Sequence, residues 1–66
     1  MVKVRFTASG YGTEIYKYRT REAAITATQD DASNTAAEHG GTACHYGDEW
    51  VAFDSCRDEI ARWEII

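Results

Sequence analysis

The chain has 66 residues, with Lys+Arg 7 against Asp+Glu 11 for a formal net charge of −4, 44% hydrophobic residues, two cysteines and no proline. That length holds one domain, which hides only about 60% of its unfolded surface and argues against multi-step enzymes built on a cofactor domain. The apolar content, with 12% aromatics, lies above the range of disordered chains, so a folded layer of strands against one helix is expected.

Val2, Val4, Phe6 and Ala8 alternate with Lys3, Arg5 and Thr7, the period of a half-buried strand. Ser9-Gly10-Tyr11-Gly12 then permits a chain reversal. Residues 13–19, rich in the β-formers Thr13, Ile15, Tyr16 and Tyr18, return as the second arm of a hairpin. Ile15 is out of phase with both tyrosines, so the sequence leaves open which face of this arm is buried.

Thr20 can cap and Gly40 can terminate an alanine-rich helix reaching His39. Ile25, Thr28, Ala32, Thr35, Ala36 and His39 fall three or four apart, giving a small, mildly polar face suited to close approach. One continuous helix is expected, with Ser33-Asn34 as the place where a kink would form. Beyond Gly41, residues 42–46 and 49–54 read as two strands joined at Gly47-Asp48. The tail is ambiguous: Ser55 with Asp58 and Glu59 resembles a helix start, whereas Arg62-Trp63-Glu64-Ile65-Ile66 alternates. A tight turn followed by a last strand is the expected solution. The resulting order, β-β-α-β-β-β, is a small α+β fold with an antiparallel sheet packed on one helix.

Charge is unevenly placed. Up to Arg21 five cations face one acid, a local balance of +4, and beyond it two cations face ten acids, a balance of −8. These blocks either neutralise each other in the fold or present two different faces. Lys3, Arg5, Lys17 and Arg19, interleaved with Tyr16 and Tyr18, form a candidate nucleic-acid surface, since basic side chains bind phosphates while aromatic rings stack bases. The net acidity and the lack of an RNP-like motif rank this second. The acidic C-terminal hairpin, with Asp48, Glu49, Asp58 and Glu59 around Trp50, is the leading candidate for meeting a protein partner with a basic surface. Trp50 and Trp63 can equally serve as core, and the scarcity of other bulk favours that role.

The residues point away from catalysis. His39, Cys44, His45 and Cys56 lack paired zinc-ligand spacing, and neighbouring Cys44 and His45 point to opposite faces of a strand. Asp30-Asp31, Asp48-Glu49 and Asp58-Glu59 read as solvated carboxylates. No metal, cofactor or enzymatic activity is expected. Without an export signal or a long apolar run, the chain is expected to be cytoplasmic with free thiols and no membrane association. Unprotected edge strands leave homodimer formation open.

The leading hairpin, the helix ending in His39-Gly40-Gly41-Thr42, the strand Glu49-Trp50-Val51-Ala52-Phe53 and the closing Arg62-Trp63-Glu64 together resemble the layout of small phage-encoded inhibitors, the type I-F anti-CRISPR proteins. That resemblance is one of architecture and length and spans most of the chain. It implies a protein acting in the host cytoplasm during infection, binding a bacterial nucleic-acid-handling complex and blocking its groove by steric and electrostatic competition.

Overall fold

A computed structural model describes the whole chain, Met1–Ile66. Strand β1 spans Val2–Ala8, β2 Gly12–Tyr18, helix α1 Arg21–Glu38, β3 Ala43–Tyr46, β4 Glu49–Phe53 and β5 Glu59–Ile65. The architecture is the expected α+β arrangement, one helix on a five-stranded antiparallel sheet of order β2-β1-β5-β4-β3. The last strand therefore enters between the two hairpins, pairing with β1 on one side and β4 on the other. The ambiguous residues after Phe53 form a turn. Asp54 Oδ1 accepts from the amides of Cys56 at 2.8 Å and Asp58 at 3.0 Å, a local closure that competes with helix nucleation. No helix is long and apolar enough to cross a membrane.

Strand register builds the helix-side face in rows. Glu14, Phe6, Trp63, Trp50 and His45 lie side by side across all five strands, and the adjacent row is Gly12, Ala8, Ala61, Ala52 and Ala43. One row supplies the bulk, while the other is almost flat. The helix meets this face with Ala24, Thr28, Ala32 and Ala36, all buried and each four residues from the next. Methyl-sized side chains on both layers let helix and sheet come close together. Pairing decides the open question in β2: Tyr16 stands opposite buried Val4, so Glu14, Tyr16 and Tyr18 turn toward the helix and Ile15 is left 45% exposed. His39, expected on the packed helical face, instead caps the helix and is exposed, its ring Nδ1 2.9 Å from the Thr35 carbonyl oxygen.

Both helix ends follow local chemistry. Thr20 Oγ1 accepts from the Ala23 amide at 3.1 Å, supplying the N-cap. At the other end Gly40 has φ +70°, its amide donates to the Ala37 carbonyl at 3.1 Å, and the Gly41 amide donates to the Ala36 carbonyl at 2.9 Å. This is the Schellman pattern, in which a left-handed residue satisfies the last free carbonyls. The chain then passes tightly over the end of β4: a Cβ on Gly41 would lie 1.8 Å from the Phe53 carbonyl oxygen.

Two buried polar side-chain atoms in the core lack a hydrogen-bond partner, the hydroxyl of Thr28, which is 1% exposed, and Nε1 of Trp50. Thr28→Val keeps the shape, removes the unsatisfied oxygen and is expected to raise unfolding free energy by about 1 kcal/mol in urea titration. Ala32→Leu at the fully buried contact is expected to lower it by about 1–3 kcal/mol, because the close helix–sheet spacing leaves no room for three added carbons.

Candidate protein-docking surface

Alternation sends Lys3, Arg5 and Thr7 of β1, Lys17 of β2, Arg62 and Glu64 of β5 and Glu49 of β4 to the sheet face away from the helix. Glu49 and Glu64 stand directly opposite each other, a repulsive cross-strand pair by itself. Two arginines flank them. Arg5 Nη2 lies 3.4 Å from Glu64 Oε2, and Arg62 bonds Glu49 while making a two-pronged contact with Glu59 at 3.2 and 2.7 Å. The Arg62 hydrogen bonds hold the Glu59 carboxyl below the usual carboxylate range. On the other side of the molecule Asp48 pairs with Arg21 and ties the β3–β4 turn to the start of the helix.

These pairings redistribute the residues expected to meet a partner. Asp48, Glu49 and Glu59 each have an internal cationic partner. Trp50 is 3% exposed, stacked on His45 with ring centroids 4.4 Å apart, so it serves the core and offers no surface anchor. Asp58 is exposed without an ion pair, in the link between β4 and β5. The five residues do not share one face.

The basic set is likewise divided. Lys3 stands opposite Lys17, next to Arg5, and Arg19 follows the end of β2 as an exposed residue. Tyr16 and Tyr18 project to the opposite, helix-side face. Cations and aromatic rings are therefore not interleaved on one surface, as joint phosphate binding and base stacking requires.

The exposed surface of α1 carries unpaired acids on both flanks, Glu22 and Asp30 on one and Asp31 and Glu38 on the other. Glu22, Asp30, Asp31 and Glu38 are exposed and form no ion pair, and the only cation of the helix, Arg21, is engaged by Asp48. Of these four acids among the helix's 18 residues, Asp30 and Asp31 read in the sequence as solvated carboxylates. Their collection on one layer became visible only once the buried stripe was fixed. Glu14 differs in role: on the helix-side face of edge strand β2 it accepts a hydrogen bond from the Tyr11 hydroxyl and interacts with the Tyr16 phenol. The two phenols hold its carboxyl below the ordinary value, and the interaction with Glu14, aided by burial, pushes the Tyr16 phenol up to about 12.

No three His, Cys, Asp or Glu side chains converge as a metal site requires, and Cys44 and Cys56 are unbridged. Comparison with protein-family profiles, with characterised proteins and with solved structures found no match for this chain.

The Glu14 network has opposite signatures in acid and alkali. Its depressed carboxyl stabilises the fold above the ordinary carboxylate value of 4.5, and that contribution is lost as pH falls through the lowered folded value. The raised Tyr16 phenol stabilises the fold below its ordinary value of 10, and that contribution is lost as pH rises toward about 12. Ultraviolet phenolate titration is expected to show Tyr16 ionising well after an unperturbed tyrosine. In Glu14→Gln it moves back toward 10, and the thermal midpoint of that variant falls less than the wild type's on acidification.

Proposed function

We propose that this protein is a non-enzymatic binding module that docks the acidic helix α1 into a basic groove of a protein partner. The observation that carries this reading is the separation of charge: the acids of the open sheet face have arginine partners, whereas Glu22, Asp30, Asp31 and Glu38 have none. Three of the four are placed against local helix stability. Asp30 and Asp31 sit mid-helix, where aspartate is a poor former. Glu38 lies in the last turn, where the helix dipole disfavours an anion and no basic residue relieves it. A field of this kind raises encounter rates with a cationic surface and sets docking orientation. The resemblance to type I-F anti-CRISPR proteins gives the partner a finer description: a bacterial nucleic-acid-handling complex whose groove the module occupies as an inhibitor.

Reversing Asp48 or Glu49 would break internal ion pairs, so the helix acids make the cleaner test. The triple variant Glu22→Lys, Asp30→Lys, Asp31→Lys is expected to lose at least about tenfold of its capture of a purified type I-F surveillance complex, or of basic proteins from bacterial lysate. It should retain the wild-type circular dichroism spectrum. Unchanged capture by a folded variant overturns electrostatic docking through α1.

A second reading rests on Lys3 and Lys17, directly opposite each other and without ion pairs, with Arg19 nearby. Their cost in repulsion would be relieved by a bound polyanion. In a low-salt gel-shift titration, nucleic-acid binding by this end of the sheet would give a shift abolished by Lys3→Glu with Lys17→Glu and weakened steeply by added salt. Docking through α1 alone gives no shift.

A further inference from the structure

Between the C-terminal half of α1 and the sheet lies a cleft of about 350 Å³. Half-buried Phe6 and Tyr16 line it from the sheet, with Trp63, only 2% exposed, beneath them, and Asp31, Asn34, Thr35 and Glu38 line it from the helix. The rings form a connected group, with Phe6 centred 6.0 Å from Tyr16 and 5.1 Å from Trp63. Asp31 and Glu38 are two helical turns apart on one side, about 10 Å along the axis, and neither has an ion pair. Burial raises the Tyr18 phenol and the charge of Asp31 adds to that shift, as it does, after Glu14 and burial, at Tyr16. No lysine or arginine of the protein lines the cleft.

The half-buried rings of Phe6 and Tyr16 beside unpaired carboxylates select their occupant by chemistry. An anion is repelled by Asp31 and Glu38, and an aliphatic side chain would desolvate them without compensation. A cation is favoured twice, by the ring quadrupoles and by the carboxylates. Between the two cationic side chains, a guanidinium is flat, weakly hydrated and forked, so it stacks on rings while donating to a carboxylate, which a compact ammonium does less well.

We infer that this cleft receives an arginine side chain of the protein partner. The inference rests on the docking reading above, since Asp31 and Glu38 belong to the same acidic helix, and it converts a diffuse charge attraction into a defined anchor point. Within the acidic surface it assigns separate tasks: Glu22 and Asp30 contribute to the long-range field, whereas Asp31 and Glu38 also bound the pocket that the anchor enters.

The test needs no partner. Nα-acetyl-arginine methylamide is titrated into the isolated ¹⁵N-labelled protein, with the corresponding lysine and citrulline compounds as probes of the charged but non-planar and the planar but neutral side chain. Arginine is expected to shift the amides around Phe6, Tyr16, Asp31 and Glu38 with millimolar affinity, several times tighter than lysine, and citrulline to produce little change. Asp31→Asn with Glu38→Gln, both exposed substitutions, should weaken the arginine response by roughly fivefold without altering the rest of the spectrum. Equal responses to arginine and citrulline, tighter binding of lysine, or an unchanged affinity in the double variant would each overturn the assignment. Because no partner is present, a negative titration removes the arginine pocket while leaving the capture experiment on α1 to decide the docking reading independently.

Discussion

The insertion of β5 between the two hairpins is the constraint on which the rest of this molecule depends. The β1–β2 and β3–β4 hairpins do not pair with each other, and a two-stranded hairpin alone is marginal in water. β5 joins them through both of its edges and through its two faces. On the helix side Trp63 stands between Phe6 of β1 and Trp50 of β4, in a chain with little other bulk. On the open side Arg62 and Glu64 join the ion pairs that connect β1, β4 and β5. The closing strand is thus central in space although last in sequence, and much of the sheet forms only through contacts distant along the chain.

Charge segregation follows from that topology. The N-terminal block of cations and the later block of acids meet at only two ion pairs, Arg5 with Glu64 and Arg21 with Asp48. The other contacts are set by parity and layer. In β1 and β2 the odd positions carry Lys3, Arg5 and Lys17 and face away from the helix, because the even positions carry Val4, Phe6, Tyr16 and Tyr18. In α1 the buried stripe takes Ala24, Thr28, Ala32 and Ala36, so the acids must occupy what remains of the helix surface. Helix and open sheet face therefore acquire opposite character at one end of the molecule without any residue being placed by charge alone.

Features encoded over a few residues were legible from the chain: the alternation in β1, the Thr20 cap, the double glycine after the helix and the Gly47-Asp48 reversal. Those requiring a distant partner were not. The buried face of β2 depends on Val4 opposite Tyr16, and without that pairing Ile15 competes on equal terms with the tyrosines. The same limit applies to the candidate surface. Tyr16 and Tyr18 alternate with the cations in sequence, which for a strand means opposite faces, so the period of two already contained the separation that the structure displays. Glu49 and Glu59 looked free because Arg62 reaches them only through the register of β4 against β5 and the turn before it.

The cleft beside α1 grows from the same composition that makes the fold possible. A helix with a stripe of alanine and threonine sits close to the sheet where the opposing residues are also small and covers Trp63, yet Phe6 and Tyr16 stay only half-buried. Thr35, half-buried, lines the same cleft. A leucine there would bury additional aromatic surface and favour folding by the usual area term. The short side chain leaves that stabilisation unused and keeps rings and carboxylates side by side at an opening. In a 66-residue chain, where core bulk is scarce, leaving Phe6 and Tyr16 half-buried beside unpaired acids favours recognition at the expense of packing.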